Sequence, residues 1–367
     1  MKTEMPWWRV DFGEAAARAA FDAVEGRFMT LGPITRQFEE RMAHLLGVPH
    51  VIATSSGTAA LTLALLEAGI GPGDEVIVPD RTWIATAHAV LLLGATPVFA
   101  DVEADRPVLD VEAFKAAAGP RTRAVLPVHL NGRAVDMPAL RREAEQRGIL
   151  VIEDACQALF SRSQEGGYLG CHSRCGCFSL SIGKAISSGQ GGFVTTHDGE
   201  IARRLVMART HGTSDITMAH WEMPGGNFRM WDLPAAIALT QLDLLEKRTA
   251  DLHRVYQRYQ QALRRFAFLE LLPVRTELGE LPLYVECMSR ERARIVEHLA
   301  AAGIQARPYY ANLDTAPQFS RRAGVSYARS QKYADECFVL PCGPDRGDDE
   351  IDRVIEVLST FPGSGEA

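Results

Sequence analysis

The chain has 367 residues, 47% of them hydrophobic and 23% charged, with a formal net charge of −7. That length suits one large domain with a smaller companion around a sizeable core. The acidic balance argues against a nucleic-acid partner, which would need a basic face, and no apolar run is long enough to span a bilayer.

The opening stretch, Met1 to Val10, carries charges and two tryptophans but no apolar signal-peptide core. A reducing cytoplasm is therefore the expected setting. Helical spacing follows over Glu14–Gly26 and Ile34–Leu46, with Leu31-Gly32-Pro33 as the turn between them. Residues 1–30 are expected to form an N-terminal segment packing on the domains.

From Val51 onward short apolar runs alternate with helical patterns. Strands are predicted at Val51–Ala53, Glu75–Val78, Pro97–Ala100, Ala124–Pro127 and Leu150–Ile152. Helices are predicted at Thr58–Ala68, Ile84–Leu93, Val111–Ala118 and Met137–Arg147. Gly71-Pro72-Gly73, Gly94 and Gly148 punctuate the helix ends. Such alternation implies βαβ units and a mostly parallel sheet between helices. Ligands then bind outside the carboxyl ends of the strands.

A long helical stretch is predicted from about Leu233 to Arg265. Beyond it a small α+β unit is expected: strand Leu281–Cys287, helix Arg290–Ala302, strand Ile304–Pro308, helix Gln331–Phe338 and a last helix from Asp348. The tail Pro362–Ala367 should fray. The expected division is a large domain over residues 31–245 and a small C-terminal domain over 246–360.

Seven cysteines, an odd number, do not form a disulfide framework. Cys171, Cys175 and Cys177 cluster with His172, but no second ligand pair accompanies them. Buried thiols are the better reading, and no metal is expected.

Lys184 is the most informative residue. It is one of five lysines set against 34 arginines, and it lies between an apolar strand and a glycine-rich turn. No carboxylate nearby in sequence can pair with it. Enclosure there would lower its proton affinity, and a neutral lysine amine attacks carbonyls. A lysine at a loop mouth is the plain alternative.

Other segments carry chemistry in the same way. Thr54-Ser55-Ser56-Gly57-Thr58 joins a predicted strand to a predicted helix, where a glycine, hydroxyls and free N–H groups suit an anion; read alone it is also an ordinary N-cap. Glu153-Asp154 ends an apolar strand, and adjacent strand residues point oppositely, so the two acids should have different jobs. Asp154 toward a cleft would suit a ring nitrogen that must stay protonated, although a helix cap or ion pair is the commoner use. Trp83 could plate a flat ring or fill a core. Asn227 and Arg229, in Gly225-Gly226-Asn227-Phe228-Arg229-Met230, could meet a ligand, a second subunit or only solvent. An aldehyde partner, a pyridinium partner, an aromatic plate and a phosphate anchor together are what pyridoxal phosphate needs.

An ordered set of segments carries a family resemblance. It includes Ser56-Gly57-Thr58-Ala59-Ala60-Leu61, Gly71-Pro72-Gly73-Asp74-Glu75-Val76, Thr82-Trp83-Ile84-Ala85-Thr86, Pro127-Val128-His129, Glu153-Asp154-Ala155-Cys156-Gln157, Phe178-Ser179, Gly191-Gly192 and Asn227-Phe228-Arg229-Met230. With these, the chain resembles the DegT/DnrJ/EryC1/StrS family of pyridoxal-phosphate sugar aminotransferases from about Leu31 to Leu340. The resemblance implies fold type I: a seven-stranded, mostly parallel sheet between helices, plus the small α+β domain.

It also implies roles. Lys184 bonds covalently to the cofactor aldehyde, Asp154 pairs with the pyridinium nitrogen, Gln157 bonds near the phenolic oxygen and Trp83 stacks on the ring. Ser56, Gly57, Thr58 and Ser179 hold the phosphate. Asn227 reaches the phosphate of the neighbouring subunit, which makes a homodimer with shared sites. His129, Arg229 and Tyr309 are candidates for substrate contact. The sequence departs from the family at Gln190 and at Trp231-Asp232, which is expected to bear on the substrate rather than the cofactor. Some relatives are dehydratases with histidine at the lysine position, and Lys184 argues against that branch.

The expected activity is transfer of an amino group from L-glutamate or L-glutamine to a keto sugar linked to a nucleoside diphosphate. A keto-cyclitol such as scyllo-inosose is the rival acceptor. Arg229, Arg307 and Arg321-Arg322 offer guanidiniums to phosphates or carboxylates. A non-catalytic or regulatory cofactor-binding protein is the reading from another class. A nicotinamide dehydrogenase is set aside, because no glycine-rich fingerprint follows the first strand.

Overall fold

The computed structural model describes residues 5–26, 32–217, 220–319 and 324–363. Leu31, Arg321-Arg322 and the last four residues of the tail lie outside them.

The chain opens with helices α1 (Gly13–Glu25) and α2 (Pro33–Leu46). Strand β1 (His50–Thr54) then leads into α3 (Gly57–Glu67), and β2 (Glu75–Pro79) into α4 (Ala85–Leu92). After these come β3 (Thr96–Ala100), α5 (Val111–Ala117), β4 (Thr122–Val125), α6 (Met137–Gln146) and β5 (Leu150–Asp154). Strands β6 (Cys175–Ser179) and β7 (Gly192–Thr196) and helix α7 (Gly199–Arg209) complete the alternation.

The seven strands form one sheet in the order β1-β7-β6-β5-β4-β2-β3. All pairings are parallel except those of β7, which runs antiparallel to both neighbours. The strands are almost wholly buried because helices cover both faces. Helix α3 is buried nearly all round, from Gly57 through Leu65. Its length of apolar residues fixes it in the core and aims its N-terminus at the carboxyl edge of the sheet.

The long helix expected over Leu233–Arg265 is two helices, α8 (Asp232–Leu242) and α9 (Leu245–Leu263). Helix α8 packs on α1 and α2, whereas α9 packs on the last helix. The buried stripe changes partner at the break, so one straight helix cannot serve both.

A second sheet has the order β10-β11-β9-β8. It contains β8 (Glu270–Leu271), β9 (Val285–Met288), β10 (Arg307–Pro308) and β11 (Cys337–Leu340). Helices α10 (Arg292–Ala301), α11 (Ala328–Glu336) and α12 (Asp348–Ser359) accompany it. The strand expected from Ile304 keeps only Arg307–Pro308. The helix expected through Phe338 stops at Glu336, because Cys337 to Leu340 is a fully buried strand. A short apolar run reads equally as a buried helix end or a strand.

The N-terminal strap is pinned to this second sheet. Met5 bridges Ile304, and Trp8 bridges Cys342. Trp7 thereby lands beside Tyr284, with ring centroids 5.5 Å apart.

Candidate active site

The adjacent acids at the end of β5 face opposite ways. Glu153 is fully buried among His129 Nε2 at 2.9 Å, the N–H of Gly170 at 2.8 Å, the N–H of His172 at 2.9 Å and Ser173 Oγ at 2.8 Å. Burial raises its carboxyl, but the hydrogen bond from His129 and the two backbone donors outweigh that and bring it down to about 2. Asp154 instead faces a cleft of about 410 Å³ at the carboxyl edge of the sheet. Its Oδ1 accepts from Cys156 N at 3.1 Å and its Oδ2 from Thr86 Oγ1 at 2.8 Å.

The same cleft is lined by Ser56, Gly57, Thr58, Trp83, Gln157, Ser179, Lys184 and Tyr309. Lys184 follows the turn after β6 and is half-buried, and among the described residues no carboxylate pairs with it. Ser56 caps α3, its Oγ accepting from Ala59 N at 3.1 Å. The N–H groups of Gly57 and Thr58 lie in the first turn, where no helical carbonyl can reach them.

Two glycines shape this corner. A Cβ on Gly57 would sit 2.8 Å from Ser179 Cβ and 2.9 Å from Cys156 Sγ. A Cβ on Gly192, the first residue of β7, would sit 2.6 Å from the carbonyl carbon of Ser56 and 2.7 Å from Gly57 N. The antiparallel strand can therefore press against the β1–α3 turn only without side chains. The resulting cradle of N–H groups and hydroxyls at a helix start has the donor chemistry of a phosphate site.

The opposite wall comes from the second sheet and the N-terminal strap. Tyr309, Tyr310, Tyr284, Arg307 and Trp7 all line the cleft. Arg307 lies over the Trp7 ring at 5.0 Å, and among the described residues no carboxylate pairs with it. Gln157 is clamped between lobes: its Oε1 accepts from Asn131 N at 3.1 Å and its Nε2 donates to Tyr310 Oη at 2.7 Å. One of its two amide protons remains for a ligand. Trp83, 49% exposed, faces Tyr310 with ring centroids 5.8 Å apart.

Three of the expected substrate or cofactor contacts do not line this chain's own cleft. His129 is fully buried, and both ring nitrogens are taken. Val135 N–H donates to its Nδ1 at 3.3 Å, so the ring proton on Nε2 points at Glu153. His129 is thus a scaffold for Glu153 and does not reach the cleft. Asn227 and Arg229 are bonded to each other, Arg229 Nε donating to Asn227 Oδ1 at 2.9 Å, and neither lines the cleft of its own chain.

Of the two departures from the family pattern, Gln190 lines the cleft but Asp232 does not. Asp232 is fully buried at the start of α2, where it accepts from the N–H groups of Gly32 at 2.9 Å, Ile34 at 3.2 Å and Thr35 at 3.0 Å. It is a helix cap, not part of an acceptor pocket. All seven cysteines are free, and burial pushes the Cys175 thiol up to about 12.

Sequence reasoning passed over Thr86, Tyr284, Tyr310 and Trp7. Only Thr86 left a signal, as a hydroxyl one helical turn after Trp83.

A sheet of this order, with a lysine, an acid and a helix-start cradle converging at its carboxyl edge, is the architecture of a fold type I pyridoxal-phosphate enzyme. The chain belongs to the DegT/DnrJ/EryC1/StrS aminotransferase family, whose profile matches residues 11–359. It is 35% identical over 341 residues to GDP-perosamine synthase of Caulobacter vibrioides, covering 90% of each chain. Among solved structures it is similar to DesV of S. venezuelae, with 32% identity, a TM-score of 0.90 and 96% and 97% of the two chains covered. It is also similar to DesI, solved with its TDP-sugar product, with 30% identity, a TM-score of 0.90 and 100% and 95% covered. The family works with pyridoxal 5′-phosphate, and solved members hold the cofactor in its aminated form. The chain is accordingly a pyridoxal-phosphate-dependent aminotransferase rather than a non-catalytic binder.

Proposed function

We propose that this aminotransferase moves an amino group from L-glutamate or L-glutamine to a keto sugar carried on a nucleoside diphosphate, in amino-sugar or natural-product biosynthesis. The observation that carries this reading is the cleft itself. A lysine and an arginine that no carboxylate pairs among the described residues line the cleft from opposite sides, with a clamped aspartate and a phosphate-type cradle beside the lysine. The named activities of the perosamine synthase and of DesI point to sugar nucleotides.

When bound, pyridoxal phosphate supplies an aldehyde that condenses with amines and a ring that withdraws electrons from the adjoining carbon. The N–H groups of Gly57 and Thr58, with the hydroxyls of Ser56, Thr58 and Ser179, would hold its phosphate. Trp83 would cover one face of the ring, and the spare amide proton of Gln157 would meet the phenolic oxygen. Asp154, anchored by Thr86 and Cys156, keeps a proton on the ring nitrogen. Lys184 Nζ would carry the proton between the donor's α-carbon and the aldehyde carbon on the far side of the shared nitrogen, and would make the reverse transfer for the acceptor. One amine thus serves both halves of the reaction.

Arg307 favours a phosphorylated acceptor over a bare keto-cyclitol. A guanidinium free of carboxylate partners is suited to a diphosphate or a carboxylate, and scyllo-inosose has neither. Tyr309 would line the acceptor's path. The proposed working unit is a homodimer in which Asn227, exposed and outside its own cleft, completes the phosphate site of the other chain. Seven free thiols suit a reducing compartment such as the cytoplasm. Among the described residues no helix is long and apolar enough to cross a membrane.

The test offers keto sugars, both nucleotide-linked and free, and keto-cyclitols to the aminated enzyme and scores return of the aldehyde form's absorption. Return with nucleotide-linked keto sugars alone is expected. Return with scyllo-inosose alone overturns the proposed acceptor.

A further inference from the structure

Glu286, in β9, is fully buried and lines no part of the cleft. Each of its oxygens holds a different arginine. Oε1 meets Arg81 Nη2 at 2.5 Å, and Oε2 meets Arg133 Nη1 at 2.8 Å. Both guanidinium side chains are fully buried as well. Two cations around one anion in a dry site make an arrangement that tolerates little displacement.

Each arginine leads to the cleft. Arg81 immediately precedes Thr82 and Trp83, and its Nη1 donates to the carbonyls of Tyr309 at 3.0 Å and Tyr310 at 3.5 Å. It therefore ties the Trp83 turn of the first sheet to the tyrosine pair of the second. Tyr310 has a φ of 51°, a left-handed conformation that a tyrosine adopts only when its surroundings impose it. Arg133 follows Asn131-Gly132 and donates through Nε to Pro273 O at 2.9 Å. Asn131 in turn donates to Gln157 Oε1 at 3.1 Å, and its side chain donates to Tyr284 O at 3.0 Å. One carboxylate thus governs the three segments that close the cleft opposite Lys184.

The partition these segments form also bounds a neighbouring cavity of about 470 Å³, which shares Trp83, Arg307, Tyr309 and Tyr310 with the cleft. Tyr309 and Tyr310, whose carbonyls Arg81 holds, belong to both linings.

We infer that Glu286 is a positioning residue for substrate: through Arg81 and Arg133 it holds the Tyr309–Tyr310 pair against Trp83 and sets the width of the opening to Lys184. Lys184, Asp154 and the α3 cradle do not touch the triad, so the covalent and phosphate anchors of the cofactor stand apart from it, and only Trp83 and Gln157 among the cofactor contacts adjoin the segments it holds. The inference rests on the cleft being the site of amine transfer.

The test compares Glu286→Gln with the wild-type holoenzyme. The amide keeps the size of the side chain but removes the charge that fixes both arginines. L-glutamate and L-glutamine are titrated against the cofactor absorption, which separates half-saturation from the limiting rate. Amide exchange over residues 307–316 is measured without substrate, so it stands apart from any failure of the proposed amine transfer. The expected result is half-saturation weakened about tenfold, a limiting rate within about twofold, unchanged cofactor content and faster exchange over 307–316. Arg81→Lys, which keeps a charge facing Glu286 but loses the fork to the two carbonyls, should give the same pattern and decides the matter if Glu286→Gln does not fold. Unchanged exchange over 307–316, or equal losses in half-saturation and limiting rate, overturns the inference.

Discussion

Thr86 Oγ1 donates to Asp154 Oδ2 at 2.8 Å, joining the first turn of α4 to the end of β5 across 68 positions of sequence. Cys156 N–H holds the other oxygen, Oδ1, at 3.1 Å, so the two bonds together fix how the carboxylate sits at the edge of the cleft, each oxygen keeping a lone pair for a ligand. Thr86→Val keeps the shape and removes the donor. A hydrogen bond to a charged group contributes about 1.5–3 kcal/mol, so kcat should fall at least about tenfold with little change in melting temperature. Steady-state turnover beside a thermal melt checks this, and wild-type turnover would reduce Thr86 to a helix-start hydroxyl.

Gly57→Ala should weaken cofactor binding. The new methyl has Ser179 Cβ and Cys156 Sγ inside 3 Å, and relieving it moves the β1–α3 turn or the end of β6. Overpacking of this kind costs about 1–3 kcal/mol. Titrating apoenzyme with pyridoxal phosphate should show affinity lower by about tenfold or more. Unaltered affinity would place the phosphate away from the α3 start.

Glu153 makes acid stability predictable in sign. Its folded value of about 2 lies below the ordinary 4.5. The stabilisation is therefore present above pH 4.5 and is lost as pH falls from 4.5 toward 2. The shift corresponds to roughly 3 kcal/mol. Glu153→Gln should lose about that much at pH 7 and show a flatter decline between pH 4.5 and 2. Urea unfolding at several pH values measures both, and parallel curves for the two proteins would contradict the assignment.

Lys184→Ala should fold, lose the covalent absorption band and lose turnover by about 10³-fold or more. Asn227→Ala should bind cofactor less tightly. Mixed subunits of the two variants would pair an intact lysine with an intact asparagine in one site of each heterodimer. About a quarter of wild-type activity should then return on full exchange. Verified subunit exchange without recovery argues against a site shared between chains.

Much of the architecture is legible from local pattern. Buried strands read as apolar runs, and glycines mark where helices end. The alternation of strand and helix leaves the parallel sheet as the economical solution. The pair at Glu153-Asp154 is legible for the same reason, because a strand must point neighbours oppositely. Legibility fails where one local pattern has two outcomes. Cys337 to Leu340 extends a helical pattern yet pairs with β9, and the repeat from Leu233 hides the break between α8 and α9. His129 carried no local sign that its partner would be Glu153.

Local sequence was enough to place the strand-end residues: Ser56 to Thr58, Asp154 and Lys184 line the cleft because each sits within a few residues of a strand's carboxyl end, and local geometry carries them there. Tertiary structure alone decided the facing wall. Trp7, Tyr284, Arg307 and Tyr310 reach the cleft only because the strap and the second sheet dock on the first, and contacts between distant segments leave no periodic trace in a single chain. The buried Arg81–Glu286–Arg133 cluster belongs to the same class, since its three charges are scattered over 205 positions and are stable without water only in one another's company.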